Sequence, residues 1–118
     1  MLLVVDDDPC FLENAESVLG KTGQVWLATT AEQALSITAS VGRDLSVALV
    51  DLDLPGSDGF TLIRDLHAVS PNLPVIAMSG VVKEYLLESA KLVGACESLR
   101  KPITPAWADA IARARSLQ

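Results

Sequence analysis

Short runs of branched apolar residues alternate along this chain with longer segments of helical period, and no other feature narrows its folds so far. "LLVV" (2–5), "VWLA" (25–28), "VALV" (47–50) and "VIAM" (75–78) are too short for helices and lack polar alternation. They read as strands buried on both faces. "SLR" (98–100) reads as a fifth, weaker strand.

The segments between them carry helix signals. Asp8 is placed to cap a helix whose first position is Pro9, with Phe11, Ala15, Val18 and Leu19 on one face and an end near Gly20–Gly23. Thr30 and Gln33 have capping-box spacing and open a second helix that runs to about Ser40. Asp58 and Gly59 precede a third, in which Phe60, Ile63 and Leu66 or His67 share a face before "SPNLP" ends it. Residues 82–93 put Leu86, Ala90 and Val93 on one side, closed by Gly94. "TPAWADAIARARS" starts a fifth helix with Thr104 as N-cap and Pro105 in the first turn.

Strands alternating with helices imply an α/β fold: a parallel sheet with helices on both faces. The 118 residues, with no linker or repeat, read as one domain, 1–118. Half the residues are hydrophobic, enough for a core without disulfides. No apolar run approaches the roughly 18 residues of a membrane span. The net charge of −6 argues against non-specific nucleic-acid binding, because no basic stripe is present to release counterions. Cys10 and Cys96 lie far apart without metal-ligand spacing, which suits reduced thiols in a cytoplasmic protein.

In a sheet of this kind ligands bind beyond the carboxyl ends of the strands. Asp6 and Asp7 end the first strand, Asp51 the third, Ser79 the fourth, and Lys101 follows the fifth. Three carboxylates at one edge repel one another unless a hard cation sits among them, and oxygen ligands of this kind suit Mg²⁺. Lys101 brings a compact positive charge and Ser79 a hydroxyl donor. Together these groups can accept and hold a phosphoryl group, with Asp51 as the carboxylate nucleophile. Asp8, directly before Pro9, reads as a cap and not as a ligand. His67, the only histidine, reads as a surface or boundary residue, and both cysteines as small buried or half-buried side chains. Pro55, Gly56 and Gly59 read as turn chemistry.

The set "VVDDDP", "VALVDLDLPGSDGF", "VIAMSG" and "LRKPIT", in this order over essentially the whole chain, resembles the receiver domain of two-component response regulators. The resemblance implies a flavodoxin-like five-stranded sheet of order 2-1-3-4-5. It implies Asp51 as phosphoacceptor, loaded from a phosphohistidine of a sensor histidine kinase or a histidine phosphotransfer protein. Asp7 would ligate Mg²⁺ directly and Asp6 mainly through water, with Asp51 and the backbone carbonyl of Asp53 in the same set; the Asp53 side chain could be a mere exposed loop acid. Ser79 matches the hydroxyl switch residue, and Lys101–Pro102 the family's cis peptide. Such a domain assists its own phosphorylation and dephosphorylation without being a conventional enzyme, and signals to a downstream protein or output domain, as a stand-alone protein or as part of a longer one.

Two other functions fit some of the same residues. A receiver-like interaction module could have ceased to accept phosphate, though such modules usually lose an acid or the lysine and this chain keeps all of them. "LVDLDLP" also looks like the strand end of haloacid-dehalogenase-type phosphatases, with the first Asp as nucleophile and the second as acid/base. That family usually places the strand at its N-terminus, follows the pair with Thr or Val, and needs a cap.

The sequence departs from the receiver pattern at Ser98, where an aromatic is usual, and at Ile103, commonly Phe. Aligned from Lys101, Ala108 and Ala112 take the usual core positions of the last helix, and Trp107 and Ile111 take usually polar ones. Either the helix is rotated so that Trp107 and Ile111 fill the space the alanines leave, or the two form an exposed apolar pair beside Ser98. The second reading, an anchor for self-association or a partner, is the expectation here.

Overall fold

The computed structural model describes residues 1–54, 58–80 and 84–117, with only the backbone of residues 22 and 84–87. Pro55, Gly56 and Val82 lie outside the described residues, as does the side chain of Leu86. The strands are β1 (Leu2–Val5), β2 (Val25–Ala28), β3 (Val47–Asp51), β4 (Val75–Ser79) and β5 (Glu97–Arg100). Between and after them run α1 (Pro9–Leu19), α2 (Ala31–Val41), α3 (Gly59–Val69), α4 (Glu84–Leu92) and α5 (Ala106–Arg115). All strand pairs are parallel, and the sheet order is β2-β1-β3-β4-β5.

Side chains alternate across the sheet with the strand period of two. Leu3, Val5, Ala48, Val50, Val75 and Ala77 face one core with Ala34 of α2, Leu62, Ile63 and Leu66 of α3, and Ala90 of α4. Leu2, Val4, Val47, Leu49, Ile76 and Met78 face a second core with residues of α1 and α5. The three central strands are buried on both faces, as their apolar runs require. The edge strands β2 and β5 are mostly half-buried, so "VWLA" is not the doubly covered strand its composition suggests.

Caps set the helix starts. Asp8 Oδ1 accepts from Cys10 N at 2.9 Å, and Asp58 Oδ1 from Phe60 N at 2.9 Å. Thr30 Oγ1 accepts from Gln33 N at 3.1 Å, while Gln33 Oε1 reaches back to Thr29 N at 2.8 Å. Thr104 makes no such cap: α5 begins at Ala106, and the Thr104 contribution is its carbonyl, which accepts from Trp107 N at 3.0 Å. In α1 the buried face is Leu12, Ala15 and Leu19; Val18 is exposed and Phe11 only partly covered. Val93 is likewise exposed, whereas Gly94 closes α4 at φ +119°, where a Cβ would meet the His67 ring at 2.6 Å. His67 is a boundary residue whose Nε2 lies 3.1 Å from the Leu73 carbonyl. Of the two free cysteines, Cys96 is half-buried but Cys10 is exposed. Among the described residues no helix is long and apolar enough to cross a membrane.

The expected interface anchor is corrected. Trp107 is 2% exposed and Ile111 5%, and both pack with Ala110 and Ala114 in the α1–α5 core, while Ala108 and Ala112 face outward. Trp107, Ala110, Ile111 and Ala114 stand at i, i+3, i+4 and i+7, so one helical stripe carries the large side chains inward. The space left by small alanines is filled by rotating the helix, not by exposing its tryptophan.

Candidate functional site

Every candidate side chain projects from the carboxyl edge of the sheet, because the backbone ladder continues one residue beyond the strands. Asp6 N donates to Ala28 O at 3.0 Å, Leu52 N to Met78 O at 2.9 Å, and Lys101 N to Ser79 O at 3.0 Å. These bonds fix Asp6, Asp51 and Lys101 at neighbouring heights on β1, β3 and β5. The Lys101–Pro102 bond is cis.

Asp51 is buried, and its two oxygens have separate partners. Oδ1 accepts from Asp53 N at 3.0 Å, and Oδ2 takes the Lys101 ammonium at 3.2 Å. The same ammonium forms an ion pair with Oδ2 of Asp6, whose Oδ1 accepts from Asp8 N at 2.9 Å. Asp6 is fully buried, and Asp7 is exposed at the rim. Ser79 Oγ donates to Oδ2 of Asp53 at 2.8 Å, so the exposed Asp53 bridges two residues of the site: its N–H on Asp51, its carboxylate on Ser79.

Charge is out of balance here. Each of Asp6, Asp7 and Asp51 offers a carboxylate oxygen, and these atoms lie within 4.8 Å of one another, beside the Lys101 ammonium. Burial pushes the Asp51 carboxyl up to about 6; the Asp6 charge adds to this, and the Asp53 N–H and Lys101 oppose it. Burial pulls the Lys101 ammonium down, but its bond to Asp6 and the charges of Asp51 and Asp6 outweigh that, so its pKa ends above the usual lysine value. Oδ2 of Asp6, buried and lacking a hydrogen-bond partner beyond that ion pair, is a hard oxygen donor with unused capacity. Three close carboxylates, one with a buried oxygen whose described partner is the Lys101 ammonium, fit a small divalent cation.

Two residues read from the sequence only as helix face and turn chemistry contribute to the site. The Phe11 ring lies under Lys101, its centroid 4.5 Å from Nζ. Gly59 opens α3 directly behind the site, where a Cβ would stand 2.9 Å from the Asp51 carbonyl oxygen and 2.7 Å from Leu52 Cα. Close approach, not a positive φ, makes it glycine. The α1 period marks Phe11 only as apolar, and nothing local links it to a lysine ninety positions away.

A five-stranded parallel sheet of this order, with an acidic cluster and a lysine at its carboxyl edge, defines the class of receiver domains. The comparisons agree: residues 2–112 match the response regulator receiver domain family, and this chain belongs to it. It is 36% identical to the transcriptional regulatory protein AruR of Pseudomonas aeruginosa over 98% of this chain and 48% of that protein. The transcriptional regulatory protein FixJ of Azorhizobium caulinodans is 31% identical over 94% of this chain and 52% of its own length. The chain thus spans about half the length of these relatives. Among solved structures, the receiver domain of NtrX from Brucella abortus superposes with a TM-score of 0.89 at 28% identity, covering 100% of both chains. A receiver domain from Clostridium thermocellum gives 0.90 at 27% identity over 98% of this chain and 93% of that one.

Proposed function

We propose that Asp51 accepts a phosphoryl group from a phosphohistidine of a sensor histidine kinase or histidine phosphotransfer protein, and that the loaded domain alters its contacts with a downstream protein or output domain. The observation that carries this reading is the setting of Asp51: a buried carboxylate with a lysine on one oxygen and two further acids beside it. An Asp51 oxygen forms a bond to phosphorus as the phosphorus–nitrogen bond breaks, and the electron pair returns to the imidazole nitrogen. Lys101 neutralises charge on the transferring oxygens. Ser79, now turned to Asp53, donates to a phosphoryl oxygen once the group is in place.

Asp6, Asp7 and Asp51, with the backbone carbonyl of Asp53, would hold Mg²⁺. Bound there, the ion supplies positive charge to the phosphoryl group and lets three carboxylates share one edge. The domain serves as a phosphoacceptor that assists its own loading and unloading, not as a turnover enzyme, and a cytoplasmic location follows from such a donor.

Incubation with acetyl phosphate and Mg²⁺ tests the reading. A labile adduct of one phosphoryl mass on Asp51 supports it. Multiple turnover of phosphomonoesters would assign the site to a phosphatase instead, and no adduct would leave an interaction module.

A further inference from the structure

We infer that Phe11 is a positioning residue for Lys101, and that the Lys101–Phe11–Trp107 stack joins the acidic site to α5. The inference rests on the phosphoacceptor reading of Asp51 and adds two residues to it.

Among the described residues three partners surround the Lys101 ammonium: Oδ2 of Asp6, Oδ2 of Asp51 at 3.2 Å, and the Phe11 face at 4.5 Å. The two carboxylates are contested ground. A divalent cation held there would draw on the same carboxylates, and a phosphoryl group on Asp51 would replace its free carboxylate. The ring has no such rival. Its negative face attracts an ammonium without being a metal ligand or a phosphoryl acceptor, and the attraction is stronger where the cation is partly desolvated. Lys101 is so placed, with its side chain 19% exposed. Phe11 therefore gives the ammonium one wall that persists through loading.

That wall leans on α5. The Phe11 and Trp107 rings are 6.1 Å apart, tilted by 53°, within the range of favourable aromatic pairs. Trp107 is held in the α1–α5 core with Ile111 and Ala114. A shift of Lys101 that presses on Phe11 is thus passed to a buried ring on α5. At position 98 the chain has a serine, which cannot transmit such a shift by filling or emptying a pocket.

The test uses the whole chain in a Trp26→Phe background, which leaves Trp107 as the sole tryptophan. Phe11→Leu keeps an apolar side chain but removes the ring, Phe11→Tyr keeps the ring, and Phe11→Met replaces Phe11→Leu if that variant does not fold. The expected result is that Phe11→Leu labels with acetyl phosphate about two- to five-fold more slowly. It also loses most of the Trp107 emission change caused by Mg²⁺ with beryllofluoride. Mg²⁺ affinity stays unchanged, and Phe11→Tyr restores both losses. Ring-current displacement of the Lys101 ε-methylene protons, present in wild type and absent in Phe11→Leu, is read without any phosphoryl chemistry. If wild type is never labelled, the phosphoacceptor reading fails and this resonance alone decides the positioning role. A wild-type labelling rate and Trp107 response in folded Phe11→Leu, or no ring-current displacement in wild type, overturns the inference.

Discussion

At the scale of single residues, the site is a problem of charge placed where water cannot screen it. As the proposed phosphoacceptor, Asp51 carries its own penalty, since burial pushes its carboxyl up to about 6. Asp51→Asn keeps the shape and removes the proposed nucleophile. It should abolish labelling by acetyl phosphate, as read by mass spectrometry; labelling at the normal rate would remove Asp51 from the mechanism. On the proposed reading Lys101 acts on the phosphoryl group and not on the metal. Lys101→Ala should therefore slow labelling on the order of a hundredfold, while calorimetric Mg²⁺ affinity holds or rises, because the ammonium occupies the acids a metal would use. Loss of metal affinity on the scale of Asp7→Ala would refute that division of roles. The positions of these residues were legible because each sits one step beyond an apolar run. The Ser79–Asp53 bond was not, since it depends on the loop geometry after β3 and not on any spacing.

At the scale of elements, strands were legible and helix faces less so. A short apolar run between helical segments has one reading, whereas in α1 either Phe11, Ala15 and Val18 or Leu12, Ala15 and Leu19 makes a helical stripe. The sheet beneath α1 decides between them, because Leu12, Ala15 and Leu19 pack with strand residues of the second core. For α5 the stripe Trp107, Ala110, Ile111, Ala114 was present in the chain's own period, and alignment from Lys101 pointed away from it. The consequence is measurable: Trp107→Ala should cost roughly 3–5 kcal/mol of folding free energy in denaturant titration. A nearly unchanged midpoint would contradict the buried position. Gly59 offers a second element-scale test. Its added methyl in Gly59→Ala would press on the backbone of both Asp51 and Leu52, so that α3 or the end of β3 must move. Destabilisation of roughly 1–3 kcal/mol is expected, together with slower labelling of Asp51. Unaltered stability and labelling would show that the junction yields freely.

At the scale of the whole molecule, folding itself should register the charge imbalance of the carboxyl edge. A carboxyl raised from 3.8 to about 6 binds more protons folded than unfolded between those values. Its contribution to stability is therefore complete below about pH 4 and is lost as the pH rises through about 6, in the sense opposite to an ordinary salt-bridged acid. Glu97, lowered by its bond to Arg113, works the other way, but that pair is largely exposed and its weight is small. The difference between wild type and Asp51→Asn isolates the buried group. Without Mg²⁺ the two should be nearly equal at pH 4, and the asparagine variant should be more stable at pH 8 by on the order of 2–3 kcal/mol. A cation that binds only the folded acids adds stability by mass action, about 2.7 kcal/mol at a hundredfold excess over its dissociation constant. For wild type that gain should emerge above about pH 6, where Asp51 is ionised, and be much smaller in Asp51→Asn. Thermal unfolding across pH 4–8, with and without Mg²⁺, reads both terms at once. Parallel curves for the two proteins would mean that Asp51 pays no burial penalty, and the carboxyl edge would then hold no charge imbalance for a metal to relieve.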